Sequence, residues 1–214
     1  LALTAKGQGQ ADTLNTRSDE QVKRLLEPLG SAERAALREA LATAESLLGG
    51  LSRTAPVCLF RDPEPGDMGW VLHRQAILYS REYGWDGRFE TLAMKICGEF
   101  MQSFDPEKER VWIAEMDDRI VGSVFVSRAS DNVAKLRMLY VEPDARGHGI
   151  GRKLVGECMS FARRSGYTRM TLWTNNVLTA ARAIYEKAGF ELVDTNAHDD
   201  FGVPLIGETW ERDL

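Results

Sequence analysis

Leu139-Tyr140-Val141-Glu142-Pro143-Asp144-Ala145-Arg146-Gly147-His148-Gly149-Ile150-Gly151-Arg152-Lys153 decides how the chain is read. It has an apolar strand end, a tight polar turn and a helix start carrying three glycines. Gly147, Gly149 and Gly151 allow the main chain to approach a ligand that side chains would hold off. The helix beginning there turns its unpaired N–H groups and positive dipole end on the same point. The stretch therefore predicts an anion site, with phosphate or pyrophosphate as its natural guest.

Two common glycine codes do not fit. A dinucleotide fingerprint needs G-x-G-x-x-G, but Arg152 and Leu154 stand three residues after Gly149 and Gly151. A Walker loop needs a second glycine followed by Lys and Ser or Thr, but Arg152 follows Gly147 at that spacing and Leu154 follows Lys153. What remains is R-x-x-G-x-G, met by Arg146, Gly149 and Gly151. This pattern resembles the acyl-CoA pyrophosphate loop of the GNAT superfamily of N-acyltransferases. A second stretch, Trp173-Thr174-Asn175-Asn176 and then Ala180 to Phe190, carries Tyr185-x-x-x-Gly189-Phe190, which is similar to the superfamily's closing helix. Gly189 stands where that helix wants a left-handed C-cap. The resemblance covers Val57 to Leu214.

The resemblance implies an α/β (α+β) GNAT acyl-CoA N-acyltransferase fold, a mixed central sheet flanked by helices, preceded here by an N-terminal two-helix arm. Its implied activity is acetyl-CoA-dependent transfer of an acetyl group to an amine, with acetyl-CoA as co-substrate and no metal. Leu139, Tyr140 and Val141 would offer their strand edge to pantetheine. Arg146, Gly147, His148, Gly149, Ile150, Gly151 and Arg152 would receive the pyrophosphate, His148 through its backbone. Tyr185 would protonate the departing thiolate; the competing reading is a core tyrosine. The superfamily often carries Asn where Leu178 stands. Asn176 is the proposed substitute contact, although capping the strand end explains Asn175 and Asn176 nearly as well. Cys158, in helical spacing with Ile150 and Leu154, reads as core.

The acceptor side is less determined. Glu82, Glu115, Asp131 and Glu142 are all possible bases, and no spacing chooses among them. Tyr83 and Trp85 read equally as groove lining or as core, and His73 as a helix-surface or packed histidine rather than a catalytic one. An acyl-CoA-sensing module with little turnover is the alternative to an enzyme.

Lys+Arg 27 against Asp+Glu 32 gives a net charge of −5, and hydrophobic residues make up 43%. Such a balance advertises no nucleic-acid surface. Cys58, Cys97 and Cys158 lack metal-ligand spacing and suit reduced thiols. With no long apolar run and no basic-then-apolar leader, a cytoplasmic location is expected.

Residues 1–50 are rich in Ala, Leu, Glu and Arg and predict two helices, one from about Thr4 to Leu26 and one with Ser31 as N-cap. Leu37, Leu41, Ala44 and Leu48 form a stripe that needs a partner. Leu3-Thr4-Ala5-Lys6-Gly7, Leu14 to Ser18 and Leu26 to Arg34 resemble the end of a MarR-family winged-helix regulator. That resemblance implies dimerisation helices, a linker over 51–56, the acetyltransferase domain over 57–214, and a longer MarR–GNAT fusion. Specific DNA binding would then be a property of the full-length protein and not of these residues.

Overall fold

The computed structural model describes residues 20–47 and 57–214. The chain divides into two compact units, Leu1–Ala55 and Pro56–Leu214.

In the first unit, helix α1 covers residues 20–26 and helix α2 runs Ser31–Leu47. The expected start of α1 near Thr4, and Leu48 of the stripe, lie outside the described residues. The N-cap of α2 is Gly30, not Ser31. The Gly30 carbonyl accepts the Arg34 N–H at 3.0 Å, and its own N–H donates to Glu33 Oε2 at 2.8 Å. Glu33 thus reaches back from the third helical position as in a capping box, which moves the helix start one residue earlier than the hydroxyl preference predicted. Leu37 and Leu41 stand exposed in the single chain.

The second unit has the order β-αα-βββ-α-β-α-ββ that the alternation of the sequence predicts. Strand β1 (Cys58–Arg61) leads to α3 (Asp67–Tyr83) and α4 (Gly87–Gln102), then β2 (Arg110–Met116), β3 (Arg119–Arg128) and β4 (Val133–Val141). A 3₁₀ turn (Pro143–Ala145) precedes α5 (Ile150–Arg164), β5 (Arg169–Asn175), α6 (Thr179–Lys187), β6 (Glu191–His198) and β7 (Leu205–Asp213). The sheet order is β1-β2-β3-β4-β5-β7-β6, with β4 and β5 parallel and the other neighbours antiparallel. Asp117 and Asp118, both at positive φ (52° and 59°), make the tight β2–β3 turn.

The alternation of β2 and β3 sorts two apolar layers. Trp112, Ala114, Val124 and Val126 face the layer of α5, which contributes Leu154, Val155, Cys158 and Phe161. Val111, Ile113 and Phe125 face the other way, with Val71 of α3 and Cys97 and Phe100 of α4. On α4 the buried positions Phe89, Ala93, Cys97 and Phe100 recur at helical spacing, so one stripe docks on the sheet.

Strand β4 is the irregular one. Its register with β3 steps from Phe125↔Arg137 to Ser123↔Tyr140, three residues of β4 against two of β3. Met138 absorbs the bulge at φ 53°. Its carbonyl is held by the Ser123 hydroxyl at 3.1 Å and the Gln75 amide at 3.3 Å. Pairing of β4 with β5 ends at Leu136↔Leu172, whereas β5 stays with β7 as far as Asn175↔Gly207. Beyond Leu136 the two strands part and leave a wedge with an unpaired β4 edge.

Gly122 keeps this distortion possible. A Cβ there would lie 2.6 Å from the Tyr140 carbonyl oxygen, a backbone atom that cannot move aside without disturbing the bulge. Gly122→Ala is therefore expected to destabilise the second unit by about 3 kcal/mol, the upper end of ordinary overpacking costs. Urea denaturation measures this, and a loss below about 0.5 kcal/mol would show that β3 and β4 yield freely.

Candidate active site

The glycine loop leaves β4 with the Glu142 N–H still bonded to the Val121 carbonyl at 2.8 Å. Pro143 starts the 3₁₀ turn, and Ala145 anchors it in the core. Gly147 and Gly149 both take left-handed conformations, φ 85° and 74°, which bend the chain into the N-terminus of α5. Gly149 is the N-cap, and Lys153 N–H makes the first helical bond, to the Gly149 carbonyl at 3.1 Å. The amides of Ile150, Gly151 and Arg152 thus open outward as the unpaired donors of the helix start. The Ile150 side chain is buried, so only its main chain serves the loop.

Gly151 has a second reason beside the one its spacing suggested. A Cβ there would lie 2.9 Å from Ile184 Cδ1 and 3.7 Å from Val141 Cγ2. Its missing side chain lets α6 pack against α5 as well as leaving an amide in the helix's first turn.

The Arg146 guanidinium is bound by Glu82 of the last turn of α3, through contacts of 3.0 and 3.1 Å. His148 is exposed, its ring Nδ1 3.3 Å from the Ala145 carbonyl, and Arg152 is exposed beside Gly149. Asn176 ties the exit of β5 to β7. Its Oδ1 accepts the Ile206 N–H at 3.1 Å, and its own N–H reaches the Ile206 carbonyl at 2.9 Å. Asn175 is buried and accepts from His198 Nε2 at 2.8 Å. The Asp200 N–H donates to His198 Nδ1, which fixes the proton on Nε2 in the neutral ring.

Leu139 and Val141 pack toward the α5 layer, while Tyr140 turns to the opposite face. There its ring meets Trp70 edge-on at 5.9 Å, and among the described residues its buried hydroxyl makes no well-formed hydrogen bond, although it lies near Arg74 and Glu142. Close by, Arg74 grips Glu142 with two bonds, Nε to Oε1 and Nη2 to Oε2, the latter 2.9 Å. Removing one side of a largely buried pair strands the other charge. Arg74→Ala is expected to cost about 3 kcal/mol. Adding Glu142→Gln should return part of that loss in a thermal melt, and no recovery would mean that Arg74 acts by packing alone.

Tyr185 lies in the α5-side core against Phe190. Burial pushes its hydroxyl well above the ordinary phenol range, and the hydroxyl of Tyr79 and the thiol of Cys158 add to this. Tyr79 comes from α3, where it packs with Trp85 and Phe89. Each phenol keeps its proton at neutral pH, Tyr79 also chiefly because of burial. Cys158 is fully buried, and its thiol is pushed well above its usual range, as a core residue rather than a nucleophile would be.

Across the wedge, the α3–α4 loop meets the β6–β7 loop. Trp85 packs on Phe201 at 4.7 Å and on Tyr79 at 4.8 Å, and the Asp86 N–H donates to the Phe201 carbonyl at 2.9 Å. Trp85 is core, while Tyr83 forms the half-buried rim. Three of the four carboxylates named as bases are held by arginine: Glu82 by Arg146, Glu115 by Arg61 and Glu142 by Arg74. Asp131 lies exposed in the β3–β4 turn, at the opposite end of β4 from the glycine loop. His73 is exposed on α3 and lines an open surface groove of about 340 Å³ with Ser80, Arg81 and Glu90. Sequence reasoning missed Phe201, which nothing in its local spacing marks, and gave no role to Trp173, which is exposed on β5.

Among the described residues no group of three or more His, Cys, Asp or Glu side chains is placed to hold a metal ion. No helix there is long and apolar enough to cross a membrane.

Residues 107–192 match the family model of the acetyltransferase (GNAT) domain. The chain is 30% identical over 137 residues to the uncharacterized N-acetyltransferase YjgM of Escherichia coli, covering 60% of this chain and 82% of that protein. It is 32% identical over 123 residues to the camello N-acetyltransferase of Xenopus tropicalis, covering 54% of this chain but only 56% of that relative. Among solved structures, the acetyltransferase YncA of Salmonella typhimurium, described with its cofactor acetyl-CoA, superposes with a TM-score of 0.57 at 18% identity. That superposition covers 74% of this chain and 94% of YncA. The chain belongs to the GNAT family of acetyltransferases.

Proposed function

We propose that this chain transfers the acetyl group of acetyl-CoA to an amine at the β4–β5 wedge. The observation that carries the reading is the wedge itself, an unpaired β4 edge running into a loop with two left-handed glycines and an open helix N-terminus. In this reading the amides from Gly147 to Arg152 hold the pyrophosphate, with Arg146 exchanging Glu82 for phosphate oxygens. The main chain of Leu139, Tyr140 and Val141 pairs with the pantetheine amides, and an N–H of the same edge polarises the thioester carbonyl.

The neutral amine attacks that carbonyl. Its nitrogen forms the new C–N bond and loses a proton to solvent. The C–S bond breaks, and Tyr185 gives its proton to the leaving sulfur, yielding the free thiol, then regains one from water. Asn176 is available only through groups that its bonds to Ile206 leave open. The test is thiol release from acetyl-CoA across an amine library, alongside calorimetric titration of acetyl-CoA.

One observation favours a second reading, an acyl-CoA-sensing module with little turnover: Glu82, Glu115 and Glu142 are all engaged by arginine. Binding without turnover in the same experiment would select it. For the first unit we propose the dimerisation arm of a MarR-type regulator fused to the acetyltransferase in a cytoplasmic protein, whose DNA binding resides in the longer chain. The exposed Leu37 and Leu41 support a two-fold contact, since an apolar stripe in water forfeits roughly 25 cal/mol per Å². Leu41→Glu is expected to turn a dimer into a monomer in sedimentation while leaving acetyl-CoA binding intact. A wild-type chain that is monomeric at high concentration would refute the contact.

A further inference from the structure

We propose that Lys135 and Arg137 form an anion subsite for the acceptor, so that the amine this protein acetylates carries a carboxylate. The inference rests on the acetyltransferase reading above and names its substrate class.

Lys135 and Arg137 sit on β4 just before the bulge. Arg137 pairs across the sheet with Phe125, which packs on Phe100 of α4 at 5.2 Å, so both alternate residues project on the α3–α4 face. On the other side, Thr171 of β5 is the register partner of Lys135, and Trp173 follows on the same face. Trp173 is 37% exposed and lies over Gly207, where a Cβ would come within 2.9 Å of its ring. The ring of Phe201, from the β6–β7 loop, stands edge-on to it at 6.2 Å. Two cations and an aromatic plate therefore flank the point where β4 and β5 part, on the face opposite α5.

These cations differ from Arg61, Arg74, Arg146, Arg169 and Arg182, each of which holds a carboxylate. Lys135 and Arg137 are half-buried, and among the described residues the side chain of neither makes an ion pair or a hydrogen bond. Two carboxylates near this face have other partners. Glu99 of α4 acts on Arg137 at a distance but lies 3.8 Å from Lys95, and Glu211 of β7 is bound by Arg169 at 3.3 Å. Burial lowers the pKa of Lys135, and the neighbouring Arg137 lowers it further. Adjacent like charges, half withdrawn from water, cost the empty fold stability that an arriving anion returns.

The phosphates of acetyl-CoA are not that anion in this arrangement. The glycine loop begins beyond Val141, four residues or about 13 Å along the strand and past the bulge. A carboxylate held by the Arg137 guanidinium and the Lys135 ammonium would leave the acceptor amine at the wedge, with Trp173 against its carbon skeleton.

The test uses the whole chain with β-alanine, γ-aminobutyrate and the proteinogenic amino acids, each against its carboxamide or its decarboxylated amine, and with phosphoethanolamine. Both thiol release and equilibrium binding to the CoA-saturated protein are measured. The carboxylate form should be preferred at least tenfold or so in kcat/KM or, if nothing turns over, in affinity. Arg137→Met should collapse that preference and Arg137→Lys should restore part of it, with the acetyl-CoA thermal shift reporting that each variant is folded. Equal use of charged and uncharged amines, a preference for phosphoethanolamine, or a preference untouched by Arg137→Met would overturn the subsite. Failure of acetyl-CoA to bind the wild-type chain would instead overturn the acetyltransferase reading beneath it.

Discussion

Gly149→Asp is expected to abolish the rise in melting temperature that acetyl-CoA gives the wild-type chain. Gly149 is the left-handed N-cap of α5, at φ 74°, directly before the open amides of Ile150, Gly151 and Arg152. A side chain there pays the left-handed penalty, on the order of 1–2 kcal/mol, although Asp tolerates that region better than most. The larger effect is on the ligand, since a carboxylate at the mouth of the loop takes the place of a phosphate oxygen and repels the rest. At a hundredfold excess over Kd, a ligand bound only by the folded state contributes about 2.7 kcal/mol, and this whole increment should disappear. Gly149→Ala separates the causes, because it carries the strain without the charge and should keep a reduced shift. A full ligand-induced shift in Gly149→Asp would remove the loop from the binding site.

Tyr185→Phe is expected to lower kcat about 10²-fold while acetyl-CoA affinity is kept, since only the leaving-group proton is removed. The residue is buried and ringed by apolar neighbours, so phenylalanine fills the same space. Burial holds the hydroxyl well above its ordinary range, which keeps it protonated and able to donate across the working pH of the enzyme. The wild-type rate should accordingly show no alkaline decline from this group below about pH 10. Turnover undiminished in Tyr185→Phe would leave Tyr185 as a packing residue.

What the sequence made legible was local. The loop from Arg146 to Gly151 announces itself because left-handed turns and helix starts are written in consecutive residues, and Gly189 marks the end of α6 for the same reason. The acceptor side was illegible for the opposite reason. Phe201 meets Trp85 only after the β6–β7 loop returns to the α3–α4 loop, and Trp173 approaches Lys135 and Arg137 only because β4 and β5 run parallel. The same limit hid the ion pairs. Glu82, Glu115 and Glu142 looked equivalent as bases until the fold gave each an arginine from another element. Gly151 was grouped with the loop by spacing, although its tightest contact is Ile184 of α6. Gly30 took the helix cap from Ser31 because Glu33 bonds its N–H.

The most direct test is a mass balance on the intact chain with acetyl-CoA and the amine panel, counting free CoA thiol and acetylated amine in the same samples. An acetyltransferase acting at the wedge yields the two in equal amounts, at a rate that requires both protein and amine and that falls in Tyr185→Phe. Acetyl-CoA that binds by calorimetry yet releases thiol no faster with any amine than with none would contradict catalysis and leave a sensing module.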